Sequence, residues 1–120
     1  MIIIGFKTDK IVEGFISGYK KIKNMSLLDY VKNKKEEIIK LAQRYGAYNI
    51  RIFGSVARGE DDPRSDIDFL VDFKSNVGLL EWSGFWSSLE DLLKHKVDVA
   101  TEKVLKKRMK ERILREAIPL

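Results

Sequence analysis

Residues 48–73, YNIRIFGSVARGEDDPRSDIDFLVDF, place two strand-like segments on either side of an acidic loop. Residues 48–53 alternate apolar and polar side chains, and residues 66–73 do so again, which is typical of half-buried β-strands. Gly54 and Ser55 end the first segment and are expected to open a helical turn. The stretch therefore predicts a strand, a turn with a charged loop, and a second strand.

A helical pattern precedes these strands. Ser26 is a predicted N-cap with Asp29 three residues later, and Gly46 is a natural helix stop. Asn33 is a candidate break that would divide the segment into two shorter helices.

The pattern after the strands predicts a helix, a short strand and a second helix. Residues 79–94 carry apolar side chains at helical spacing, and Trp82 and Trp86 are expected to pack in the core, with a partner contact as the alternative. Residues 96–100, KVDVA, read as a strand, and residues 102–117 read as a basic amphipathic helix. The side chains expected to face inward from that helix are Leu105, Met109, Ile113 and Ala117, with Val104 and Leu114 beside them.

This order of elements predicts one α+β domain of the α/β type, which we place at residues 25–120. Residues 1–24 lack clear periodicity. We treat them as an N-terminal extension, either an added arm or the product of an upstream start codon.

The charge of the chain is uneven. The formal net charge is +5, yet residues 58–72 carry two Lys or Arg against six Asp or Glu. Basic segments flank this centre, with ten against five in residues 1–47 and seven against three in residues 101–120. Charge runs are usually solvated surface, so the acidic centre needs a further reason before it is taken as a cation site.

Two absences narrow the class of protein. The chain has no cysteine, which excludes disulfides and thiolate metal ligands. No apolar run approaches the roughly 20 residues that cross a bilayer, and the opening Met-Ile-Ile-Ile is too short for a signal-peptide core. We therefore expect a cytoplasmic protein that binds no membrane. The basic ends lack a DNA-reading motif, so direct nucleic-acid binding is not expected.

The carboxylates of the second strand suggest metal chemistry. Asp66 and Asp68 are two residues apart, so their side chains point to one face, with Cβ atoms about 7 Å apart. Carboxylates at that distance repel unless a cation lies beside them, and oxygen ligands suit Mg²⁺ or Mn²⁺. Asp98 joins the pair if the third strand neighbours the second. The alternative is a solvated strand end.

Gly54 and Ser55 have the features of a phosphate-binding turn. Glycine allows close backbone approach, Ser55 offers a hydroxyl and an N–H, and Arg58 lies one turn later. The glycine spacing of a P-loop is present, but Glu60 and Asp61 follow where Lys-Ser/Thr is needed, so the Walker motif is excluded. The alternatives are a turn residue at Ser55 and an ion pair between Arg58 and the acidic loop.

Together these residues carry a resemblance. Gly54-Ser55, ten residues and then Asp66-Ile67-Asp68 resemble the signature of the DNA polymerase β-like nucleotidyltransferase superfamily. The run NIRIFGSVARGEDDPRSDIDFLVDF, with KVDVATEKVL and the ending ERILREAIPL, resembles the minimal nucleotidyltransferases, the MNT or MntA-like antitoxins. The resemblance extends from about Met25 to Leu120.

The resemblance implies a fold, a reaction and site residues. The fold would be a small mixed β-sheet with helices packed on one side. The reaction would transfer AMP from ATP to a hydroxyl, releasing pyrophosphate. The residues assigned to nucleotide binding are Gly54, Ser55, Arg58 and Ser65. The residues assigned to catalysis and to one or two Mg²⁺ ions are Asp66, Asp68 and Asp98, the last also helping to activate the acceptor hydroxyl.

The resemblance also implies a partner. It predicts the antitoxin of a type VII-like HEPN/MNT pair, which neutralises a HEPN-domain toxin by binding it, by AMPylating a tyrosine, or both. Two alternatives stay open: a non-catalytic binding antitoxin, and a nucleotidyltransferase for a small molecule such as an antibiotic. The sequence also leaves a homo-oligomer open.

Overall fold

The computed structural model describes residues 26–120, so the predicted extension at residues 1–24 lies outside the described residues. The elements in chain order are α1 (Leu27–Asn33), α2 (Lys35–Tyr45), β1 (Ala47–Phe53), α3 (Gly54–Arg58), β2 (Ile67–Phe73), α4 (Leu79–Leu93), β3 (Val97–Ala100), a 3₁₀ turn (Glu102–Val104), α5 (Lys107–Glu116) and β4 (Ile118–Pro119). Within the described range, no helix combines the length and the apolar character needed to cross a bilayer.

The first two helices begin and end as predicted. The Asp29 N–H donates to Ser26 Oγ at 3.1 Å, which caps α1. The chain breaks at Lys34, directly after Asn33, and Gly46 ends α2 in the left-handed region with φ 77°. Glycine tolerates that conformation without a Cβ penalty.

The four strands form a mixed sheet in the order β3-β2-β1-β4, which confirms the predicted class of sheet. β1 is antiparallel to both β2 and β4, whereas β2 and β3 are parallel. A parallel pair needs a crossover connection, and α4 supplies it. The sequence did not predict β4, which has only two residues.

The two faces of the sheet are covered unequally. The main core lies on one face, where α1, α2 and α4 pack against side chains such as Ile52, Phe69 and Val99. Alternation along the strands places Leu70 and Ala100 on the opposite face, in a smaller cluster with Ile113 of α5. The main helical layer therefore lies on one side, as expected, and α5 adds a contact on the other side that the sequence did not reveal.

The prediction of one helix over residues 102–117 is wrong in its first half. Leu105 is extended and α5 begins only at Lys107, so the four-residue spacing does not run along one continuous helix. Ile113 is buried, but Met109 is 43% exposed. Leu105 and Ala117 are partly buried against the smaller cluster, whereas Val104 and Leu114 are exposed. Ile113 is the one residue of α5 that is buried.

The two tryptophans of α4 cover the free edge of β3. Trp82 Nε1 donates to the Val99 carbonyl at 3.0 Å, and Trp86 Nε1 donates to the Val97 carbonyl at 2.9 Å. Both rings also pack against the main core, as predicted. An uncovered edge strand is a template for pairing with another chain, so these bonds protect β3 from that pairing.

Candidate active site

The parallel register of β2 and β3 brings two predicted site residues side by side. Asp68 and Asp98 are Cα partners in adjacent strands. Val97 and Val99 are buried in the main core, so the intervening Asp98 points to the opposite face. This confirms the strand arrangement on which the inclusion of Asp98 depended. Asp66 lies one residue before β2 and belongs to the end of the loop.

The turn at the end of β1 lies against the same carboxylates. Phe53 is the Cα partner of Asp68, which places Gly54 beside that side chain. Gly54 has φ 75°, and a Cβ built on it collides with Asp68 Oδ2. Both the backbone conformation and the lack of space require glycine here. The short helix α3 follows from this residue and ends at Gly59.

The Asp68 carboxyl carries an unfavourable negative charge. Burial is the main cause that raises the pKa of this carboxyl to about 6; the nearby charges of Asp98, Asp66 and Glu116 add to the shift, and Arg58 opposes it. Within residues 26–120, no group donates a hydrogen bond to the carboxylates of Asp66, Asp68 or Asp98. An unpaired, partly buried carboxylate is costly, so this arrangement suits a bound cation.

The donor set of the site fits a hard divalent ion. Its oxygens are carboxylate oxygens, which Mg²⁺ prefers, and the repulsion between Asp68 and Asp98 would be relieved by a cation. In the part of the chain that the structure describes, the acidic side chains do not form a ready cluster of three metal ligands. The assignment of Mg²⁺ to Asp66, Asp68 and Asp98 stays a prediction.

Arg58 is held by two carboxylates. Its Nε donates to Glu60 Oε1 at 2.9 Å, as one alternative reading of the sequence proposed. Its Nη1 donates to Glu116 at 3.1 Å and 3.2 Å. Glu116 also accepts the Gly54 N–H at 2.8 Å, which links the end of α5 to the predicted phosphate turn. Glu116 could not be recognised from the sequence, because it is sixty-two residues from Gly54 and belongs to no recognised spacing.

The two predicted serines differ in their surroundings. Within residues 26–120 the Ser55 hydroxyl makes no hydrogen bond, so it is available to a ligand. The Ser65 hydroxyl instead accepts the Asp62 N–H at 2.9 Å and donates to Asp62 Oδ1 at 3.4 Å, which stabilises the acidic loop. His95 Nε2 lies 2.6 Å from the Ser65 carbonyl and joins the loop to the segment before β3. A direct contact of Ser65 with a nucleotide therefore requires that its hydroxyl exchange partners.

The mixed sheet, the glycine-serine turn and the adjacent aspartates define a nucleotidyltransferase. The chain belongs to the nucleotidyltransferase domain family, whose model matches residues 31–120.

Relatives and solved structures agree with this assignment. The chain is 38% identical over 86 residues to the protein adenylyltransferase MntA of Thermococcus cleftensis, covering 72% of this chain and 83% of that protein. A Methanocaldococcus jannaschii protein, whose name gives the same activity provisionally, is 39% identical to this chain over 84 residues. The match covers 70% of this chain and 90% of the M. jannaschii protein.

Two solved structures share the fold. A structure provisionally named as a minimal nucleotidyltransferase matches with a TM-score of 0.70 and 43% sequence identity. The match covers 78% of this chain and 95% of the chain in that structure. A toxin–antitoxin crystal structure with AMP-PNP has a TM-score of 0.59 and covers 70% of this chain and 69% of its own. At 21% identity, the second likeness shows the fold alone.

Proposed function

We propose that this protein transfers AMP from ATP to a hydroxyl group of a partner protein, with Mg²⁺ as cofactor. The observation that carries the proposal is the unpaired Asp68 carboxylate, held beside Asp98 and against Gly54. Ser55, with a free hydroxyl next to Gly54, is proposed to bind the triphosphate together with Arg58.

The proposed step is a displacement at the α-phosphorus. The acceptor oxygen forms a bond to the α-phosphorus, and the bond from that phosphorus to the oxygen bridging the α- and β-phosphates breaks. Pyrophosphate leaves, and the hydroxyl proton passes to a carboxylate, for which Asp98 is the proposed base because it is partly exposed beside Asp68. When bound, Mg²⁺ would neutralise charge on the attacking and leaving oxygens.

The proposed acceptor is a tyrosine of a HEPN-type toxin, so that the protein acts as an antitoxin. Support comes from the names of the similar proteins, among them the adenylyltransferase MntA and the structurally similar toxin–antitoxin complexes. The resemblance to MntA-like antitoxins supplies the HEPN class and the tyrosine. A cytoplasmic location belongs to the same proposal.

A labelling assay with a purified HEPN-type toxin as the candidate partner tests the proposal. With Mg²⁺, ATP labelled in its α-phosphate should label the toxin, whereas ATP labelled in its γ-phosphate should not. Asp68→Asn should abolish labelling, and Asp61→Asn is the control because it removes the same charge from the neighbouring loop. Toxin neutralised equally well by Asp68→Asn without labelling would favour a binding antitoxin. Label that appears only on a small acceptor would favour the small-molecule enzyme.

A further inference from the structure

The contacts of Glu116 differ from those of the other acidic residues near the site. Its side chain is only 14% exposed although it stands at the end of a basic helix. Oε2 accepts the backbone N–H of Gly54 at 2.8 Å, and both carboxylate oxygens accept from Arg58 Nη1. Glu116 thus occupies donors of the turn to which the proposed function assigns the nucleotide phosphates.

A carboxylate and a phosphate compete for such donors. Both are anions that accept from backbone N–H groups and from guanidinium. One N–H makes one well-aligned hydrogen bond, so the Gly54 N–H cannot serve Glu116 and a phosphate oxygen together. Two anions that share the same cation in a partly buried site also repel each other.

We propose that Glu116 is a built-in competitor of the nucleotide: its carboxylate holds the Gly54 N–H and Arg58 in the free protein, and the triphosphate displaces it on binding. The inference rests on the proposed function, since it takes the Gly54–Arg58 turn as the triphosphate site. As a consequence, Glu116 lowers the affinity for ATP although it makes no favourable contact with ATP.

The fold allows this displacement without a large movement. Ile113 is 1% exposed and anchors α5 against the sheet, so the backbone of the helix can stay in place. Rotation of the Glu116 side chain frees Arg58 Nη1, while Arg58 Nε keeps an exposed partner in Glu60. In the absence of nucleotide, the same contacts satisfy the Gly54 N–H and order the turn.

The test is nucleotide binding by Glu116→Gln in the full chain, measured by calorimetric titration with ATP and Mg²⁺ and, separately, with inorganic tripolyphosphate. Glutamine keeps the size and an acceptor oxygen but removes the negative charge. The dissociation constants for both ligands should fall about fivefold, as expected when one charged competitor is removed. Glu111→Gln is the matched control, because it removes the same charge from an exposed position on the same helix.

A second variant covers the case in which glutamine disturbs folding. Glu116→Asp keeps the negative charge, but its shorter side chain moves the carboxylate away from the Gly54 N–H and Arg58 Nη1. This variant should therefore also bind both ligands more tightly. Thermal melting followed by circular dichroism checks that each variant is folded.

The outcomes separate this inference from the proposed function. A dissociation constant equal to or higher than that of the wild type overturns the inference and makes Glu116 a residue that positions Arg58. Tighter binding without transfer to the toxin supports the inference and contradicts the proposed acceptor. Wild-type protein that binds neither ligand overturns both.

Discussion

At the scale of the residue, Gly54 tolerates substitution poorly for two separate reasons. It combines a left-handed backbone with a position where a side chain would collide with Asp68. Gly59, at the other end of α3, shares the left-handed conformation with φ 71°, but a Cβ there meets nothing within 4 Å. Comparing a substitution at Gly54 with the same substitution at Gly59 therefore separates the cost of the backbone conformation from the cost of the collision with Asp68.

Gly54→Ala should abolish AMP transfer and lower the melting temperature more than Gly59→Ala does. Both changes carry the penalty of about 1–2 kcal/mol for a left-handed alanine, and only Gly54→Ala also pushes on Asp68. Labelling assays and thermal melts of the two variants measure the difference. Equal melting temperatures together with retained transfer in Gly54→Ala would show that the close approach to Asp68 is unimportant.

Asp68 should destabilise the metal-free protein at neutral pH. Its pKa is raised from 3.8 to about 6 in the folded state, so the folded protein binds more protons than the unfolded chain between these values. Stability therefore falls as the pH rises through that window. The free energy of unfolding should fall by roughly 1–2 kcal/mol across this window. This is less than the full pKa shift implies, because the Asp68 side chain is partly solvated.

Denaturant unfolding of wild type and Asp68→Asn at several pH values measures this effect. The variant should gain stability over the wild type above pH 6 and lose that advantage below pH 4. Mg²⁺ should raise the melting temperature of the wild type at neutral pH and leave that of the variant nearly unchanged. A pH-independent difference between the two proteins would contradict the burial of this charge.

At the scale of the element, the close contact of α2 and α4 reverses a general rule. Glycine in a helix normally costs about 1 kcal/mol relative to alanine. Gly84 lies within α4, where a Cβ would meet Tyr45 Cε1 at 2.6 Å. Tyr45 is also fixed by a 3.2 Å hydrogen bond to Ser88, so its ring cannot easily withdraw.

Gly84→Ala should destabilise the protein by about 1–3 kcal/mol, in spite of the better helix propensity of alanine. Ser83→Ala, at the exposed neighbouring position, is the control and should be close to neutral. Chemical denaturation at constant pH measures both changes. A Gly84→Ala protein as stable as the wild type would mean that the two helices separate without cost.

The elements also explain which parts of the fold could be predicted from the sequence. Alternation along β2 and β3 identified the buried valines and the outward-facing Asp68 and Asp98, because a two-residue period is a local property. The single helix predicted over residues 102–117 was wrong in its first half, since the chain is extended at Leu105 and Lys106. Glu116 could not be found locally, because its contact depends on how β4 returns to β1.

At the scale of the whole molecule, the sheet order gathers distant segments at one place. β2 lies between β1 and β3, so the end of β1, the start of β2 and the middle of β3 supply Gly54, Asp68 and Asp98. The pairing of β4 with β1 adds Glu116 from the end of the chain. The site therefore depends on the complete sheet rather than on any single motif.

The most direct test of the central claim is the intact mass of the proposed partner, a HEPN-type toxin, after incubation with this protein, ATP and Mg²⁺. The wild type and Asp61→Asn should each add the mass of an adenylyl group to the toxin, whereas Asp68→Asn and Asp98→Asn should add none. An unmodified toxin in the wild-type reaction, or equal modification by Asp68→Asn, would contradict the assignment of these carboxylates to AMP transfer.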